Sequence, residues 1–138
     1  MMQLIKINEE YFKSDRYFEQ AYIFSVNIGV NQHGVVDTVL FSNETSKRLN
    51  EIFDFNQIRK NLMNNGTFFN AYKNEILVLL VSLIRGDTGM IQLRNSKEYL
   101  EDWKNVAKTS HELYKLKRPQ LFLNPRISSM LGKYKLMY

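Results

Sequence analysis

Tyr22-Ile23-Phe24-Ser25-Val26-Asn27-Ile28-Gly29-Val30 is followed by Asn31-Gln32-His33-Gly34 and then by Val35-Val36-Asp37-Thr38-Val39-Leu40-Phe41. In the first run Tyr22, Phe24, Val26, Ile28 and Val30 recur at every second position, with Ser25, Asn27 and Gly29 between them. Successive side chains of a strand point to opposite faces, so this alternation predicts a strand with one buried face. The polar, glycine-containing break and the second apolar run make the two stretches an antiparallel hairpin over Tyr22 to Phe41. The hairpin decides the architecture and carries no chemistry.

Downstream, Ser42-Asn43-Glu44-Thr45-Ser46 supplies side chains that cap the free amides of a first helical turn. Leu49, Ile52, Phe53, Ile58 and Leu62 then recur at helical spacing, with Asp54 placed to start a second helical piece. Asn64-Asn65-Gly66 ends the pattern. Ile76 to Ile84 is apolar without alternation, which predicts a strand covered on both faces. Arg85 to Gly89 reads as a turn and Met90 to Leu93 as a short strand. Ser96 is placed to cap a helix from Lys97 to Leu116, with Tyr99, Leu100, Trp103, Val106, Ala107, Leu113 and Leu116 as its apolar face. Pro119 stops that helix, and Gln120 to Leu123 reads as a last strand before a fraying end. Upstream, residues 8–20 interleave Tyr11, Phe12, Tyr17 and Phe18 with charges, as a short helix or irregular segment packing on the sheet does.

The fold class expected is α+β: a small antiparallel sheet with a β-β-α-β core, one helical layer and a C-terminal helix. With 138 residues, 44% of them hydrophobic, the chain suits a single domain. Its core is expected over about residues 20–93, with the C-terminal helix and basic tail over about 96–138. The absence of cysteine excludes a disulfide scaffold, a Cys-ligated zinc site and a thiol nucleophile. The first residues lack the long apolar core of a signal peptide, and Ile76 to Val81 falls far short of the ~20 residues of a membrane helix. The expectation is a soluble, cytoplasmic chain, or a periplasmic one where a leader has been removed.

The net charge of +5 is unevenly spread. Residues 1–103 hold 11 Lys/Arg against 13 Asp/Glu, whereas residues 104–138 hold 8 against Glu112 alone. Such asymmetry points to an anionic partner or to a solvated basic end. Neither His33 nor His111 has a neighbouring ligand at metal spacing, and each reads as a surface residue. Glu98 and Asp102 stand one turn apart, where they complement a helix dipole. No phosphate-cradling, dinucleotide or nucleophile-elbow motif occurs, so no enzyme activity, cofactor or metal is expected. Tyr114, Phe122, Tyr134 and Tyr138 interleave with basic residues, as in some single-strand binders, or simply pack the C-terminus onto the core.

Phe24-Ser25-Val26-Asn27-Ile28 with Gly34-Val35-Val36, then Ser42-Asn43, then the apolar run Ile76 to Ile84, resembles the C-terminal domain of TonB-like energy transducers, especially the divergent forms of Bacteroidetes. The resemblance covers roughly residues 20–85. It implies a domain that takes an extended partner peptide as an extra strand. The chain lacks that family's Tyr-Pro pair, membrane anchor and Pro-rich spacer. A non-enzymatic domain binding a protein or peptide is therefore the first expectation, with Tyr22–Val30 and Ile76–Ile84 as the candidate edges. The alternative is nucleic-acid or anionic-surface binding through Lys104, Lys108, Lys115, Lys117, Arg118 and Arg126, with Lys133 and Lys135 beyond them.

Overall fold

The computed structural model describes residues 7–64, 68–86, 93–123, 126–131 and 135–137, the last two stretches and Gly86 by backbone alone. The hairpin forms as β1 (Ala21–Val30) and β2 (Val36–Phe41). Its turn is built on Asn31, whose side chain accepts hydrogen bonds from the amides of His33 and Val35. Gly34 takes a φ of +80° there, and a Cβ on it would stand 2.7 Å from Asn70 Oδ1, so the turn requires glycine.

Two helices follow, α1 being the short turn at Glu10–Lys13 upstream: α2 (Lys47–Ile52) and α3 (Phe55–Met63). Ser46 caps α2 through the amide of Leu49, and Asp54 caps α3 through that of Gln57. The chain then enters β3 (Ile76–Gly86), pairs it antiparallel with β1, and crosses through α4 (Ser96–Leu113). The end of the chain adds β4 (Gln120–Phe122), β5 (Arg126–Leu131) and β6 (Lys135–Met137).

The sheet order is β2-β1-β3-β5-β6, with β4 beside the start of β3 and β5 beside its end. Both β4 and β5 run parallel to β3, as a strand returning through a crossover helix does. The α+β class and the β-β-α-β order hold. The sheet is mixed rather than purely antiparallel, because the stretch expected to fray forms two further strands.

Register puts Phe24 opposite Val81, Val26 opposite Leu79 and Ile28 opposite Leu77. This face meets Leu49, Ile52, Phe53, Phe55, Ile58 and Leu62, all buried. The Phe24 ring lies 4.7 Å from that of Phe53 and 5.1 Å from that of Phe55. The other face of β1 is buried too, against the expectation of one solvated side. α4 lies across it. Ser25 and Asn27 are held under that cover by hydrogen bonds: Ser42 Oγ accepts from the Ser25 amide, and Asn27 Nδ2 donates to Ser25 Oγ and to the Leu40 carbonyl, while Asn27 Oδ1 is buried without a hydrogen-bond partner among the described residues.

Arg85 and Gly86 continue β3 instead of turning, while Asp87 to Gln92 lie outside the described residues. Arg85 is fully buried and donates to the carbonyls of Tyr11 and Ser14, tying the N-terminal segment to the strand end. α4 begins at Ser96 but is not capped by it. Asn95 stands at the cap position, and its amide bonds both the N–H and the C=O of Ala21.

Truncating Phe53 to Ala should cost ~3–5 kcal/mol, since the ring is buried and the flanking Phe24 and Phe55 are held by the sheet and α3. Urea unfolding checks this, and a loss below about 1 kcal/mol would contradict the packing described.

Candidate partner-binding surface

The position of α4 is fixed by its two flanks. On one, Asn43 Nδ2 donates to the Asp102 carbonyl, Asn105 donates to Asn43 Oδ1, and Arg48 pairs with the Asp102 carboxylate at 2.9 Å. On the other, Tyr99 bonds Ser82 of β3, and Ser110 bonds Gln120 of β4. Between them Val106 and Leu113 are buried, Leu113 against Ile76 and Val78. Asp102 is thus a buried partner of Arg48 and not the solvated dipole complement its spacing suggested. Burial pushes its carboxyl above the usual aspartate range, and the Arg48 guanidinium only partly offsets that. The polar pocket beside it, with Glu44, Lys108 and Glu112 at its walls, is a loop-to-helix anchor whose amides are spent on each other.

The flank toward β3 and β4 leaves apolar groups in water. Leu100, Trp103, Ala107 and Tyr114 follow one another at steps of three, four and seven, a single row along the helix. All are exposed, Trp103 by 41% and Tyr114 by 77%. Phe122 of β4, 65% exposed, faces the lower end of this row across a groove of about 680 Å³. Ser110, His111, Lys117 and Arg118 complete the groove lining. The apolar face read along residues 99–116 therefore divides: its Val106/Leu113 edge is core, and its Leu100/Trp103/Ala107 edge is surface.

The basic residues distribute unequally. Lys97, Lys104, Lys108, His111 and Lys115 form one solvent ridge of α4, beside the apolar row, with Glu101 among them. Lys104 lies 4.0 Å from Glu101, both well exposed. Lys117 is exposed at the groove mouth, where its φ of 54° turns the chain into β4. Arg118 is different. Its guanidinium meets the Asp37 carboxylate in two parallel bonds of 3.0 and 2.8 Å, so it serves the fold. It reaches Asp37 across Gly29, where a Cβ would lie 3.1 Å from the guanidinium and 3.0 Å from the Thr38 side chain. Arg126 stands in β5 and Lys135 in β6, in positions known by backbone alone, and Lys133 lies outside the described residues.

Neither candidate edge is an edge. β1 runs between β2 and β3, and β3 between β1 and the β4/β5 pair. The outer strands are β2 and β6; β2 is protected by a register break, by the Asp37 charge and by Arg59, whose guanidinium bonds the Val39 carbonyl. β4 is three residues long, with Pro119 before it and Pro125 after. His33 lies exposed in the hairpin turn, far along the chain from His111 in the groove. Among the described residues no cluster of three His, Cys, Asp or Glu has metal-holding geometry, and no helix is long and apolar enough to cross a membrane.

In comparisons with known proteins, no family model matches the chain, and neither a curated protein nor a solved structure is similar to it.

The Arg118 bonds hold the Asp37 carboxyl below the usual aspartate range. The stability this pair contributes is therefore complete above the unfolded value near 3.8 and lost as pH falls through the lower folded value. Asp37→Asn should cost about 1 kcal/mol or less at neutral pH, because the pair is partly solvated, and the difference from the parent should vanish in strong acid. Urea midpoints of parent and variant, measured from neutral pH down to about pH 2, check both the sign and the window.

Proposed function

We propose that this chain is a non-enzymatic binding domain for a protein or peptide, engaged through the flank of α4 that overlooks β3 and β4. The observation that carries the reading is the exposure of Leu100, Trp103 and Tyr114 along one row of α4, with Phe122 facing Tyr114 across the groove at the row's lower end. Rings of this size gain from burial, and a contiguous apolar patch on an otherwise charged surface is the usual mark of an interaction site. The β-β-α-β order and the residues resembling TonB-like C-terminal domains support a peptide-binding role. Addition of a strand at β1 or β3 has no place in it, since both strands already have two neighbours. Side-chain contacts from the α4 flank are the means of recognition.

A second reading, single-stranded nucleic acid, draws on the cationic ridge beside Trp103 and Tyr114. The protein reading is favoured because Leu100 and Ala107 are contact groups for apolar side chains and offer nothing to a phosphate or a base edge.

The test is selection from a random linear peptide library on the parent protein and on Trp103→Ser/Tyr114→Ser, both exposed positions whose replacement leaves the core untouched. Peptides enriched on the parent should fail on the variant, and their addition should shift amide resonances within residues 100–122. Equal enrichment on both proteins, or shifts confined to the hairpin, would overturn the proposal. A short oligonucleotide that binds at physiological salt and displaces those peptides would favour the second reading.

A further inference from the structure

On the face of the sheet under α4 the described side chains of β1 and β3 are buried, except Leu80 and Ile84, which are partly exposed. Strands stand about 4.8 Å apart and a helix is about 10 Å across, so one helix covers about two strands. α4 lies over β1 and reaches β3 through Leu113 and Tyr99. β4 and β5 continue the sheet beyond β3, and β6 adds a further strand beside the last three residues of β5, so a strip of sheet one to two strands wide extends beside α4. Leu80 and Ile84 of β3 point the same way as Ser82, toward this strip, and are only partly buried, whereas Leu77, Leu79 and Leu83 on the opposite face are fully so. The row from Leu100 to Tyr114 runs along the strip for about 21 Å, some four turns of helix.

Charge borders the strip on one side. The ridge carrying Lys104, Lys108, His111 and Lys115, with Glu101 4.0 Å from Lys104, runs between the apolar row and the far flank, where Lys108 also walls the polar pocket, and Lys117 closes the lower end of the row. The acidic groups Asp102 and Glu112 lie on the far flank, against the loop holding Asn43 and Arg48. A second copy of this chain would bring the same cations against these, and its net charge of +5 opposes that contact.

From the width of the strip, its apolar wall and its basic border, resting on the partner-binding reading above, we infer that the occupant is an acidic amphipathic helix of a protein partner. Its apolar residues at i, i+3, i+4 and i+7 pack beside Trp103 and Tyr114, and its Asp and Glu side chains meet the α4 ridge. This is the helix-in-groove mode, with α4 and the sheet as the two walls.

The test uses a displayed library of a helical scaffold with a fixed leucine face and randomised flanks, selected on the whole chain. Asp and Glu should become enriched on one flank of the recovered sequences. A chosen acidic binder should lose about tenfold or more in affinity toward Lys104→Glu/Lys108→Glu/Lys115→Glu, and should weaken as salt is raised. Circular dichroism confirms that this variant, altered only at exposed positions, is folded. Binders without charge bias, or with basic flanks, would overturn the inference while leaving the partner-binding proposal intact. Recovery of no helical binder, with linear peptides still bound at the same flank, would also overturn it. Failure of both libraries would remove the two together. Light scattering that shows a dimer broken by Trp103→Ser would assign the strip to a second copy and overturn the acidic helix.

Discussion

The pairing of β1 with β3, continuous from Ala21/Ile84 to Gly29/Ile76, sets the conditions for everything else in this fold. It places two long apolar strands at the centre of a sheet, where both faces must be dry. One face is closed by α2 and α3 with the Phe24, Phe41, Phe53 and Phe55 rings. The other is closed by α4, and only by α4 among the described residues. An 18-residue helix laid over β1 shields that strand completely and leaves Leu80 and Ile84 of β3 partly exposed. The apolar flank of α4 is exposed as a direct consequence.

The polar anchors of α4 explain why the helix does not slide to the middle of the sheet. Asp102 and Asn105 are held by Arg48 and Asn43 on the β2 side, and the buried carboxylate would lose its partner if the helix moved. Past the end of α4, Arg118 is fixed to Asp37 across Gly29, again toward β2. These contacts hold the helix toward one side of the sheet and leave open the strip on the other. The apolar row of α4, with lysines along the neighbouring ridge, stays exposed on that side.

Much of this was legible in the residues themselves. Alternation from Tyr22 to Val30, the caps at Ser46 and Asp54, and the unbroken apolar run of β3 each reflect a local rule, and each element formed where expected. The second burial of β1 was not legible. Ser25, Asn27 and Gly29 look solvent-facing until distant groups, Ser42 and Leu40 among them, bond to Ser25 and Asn27. β4 was legible at Gln120 to Leu123, but β5 and β6 were missed for a related reason: residues 126–138 mix apolar and basic groups and carry too little pattern to be recognised without their neighbours. At the candidate surface the lysines could be counted but not sorted. Only the folded chain separates Arg118, which is bound to Asp37, from the solvent ridge, and splits the α4 apolar face into core and surface.

Trp103 is the sole tryptophan of the chain and stands in the middle of the exposed row. Acrylamide quenching of its fluorescence therefore reports on the proposed surface without any label. In the isolated protein the indole should be quenched readily. On saturation with a peptide selected for binding, quenching should fall severalfold and the emission should shift to the blue. An indole already protected in the isolated chain, or one equally quenched in the complex, would contradict the claim that this flank is a vacant partner site.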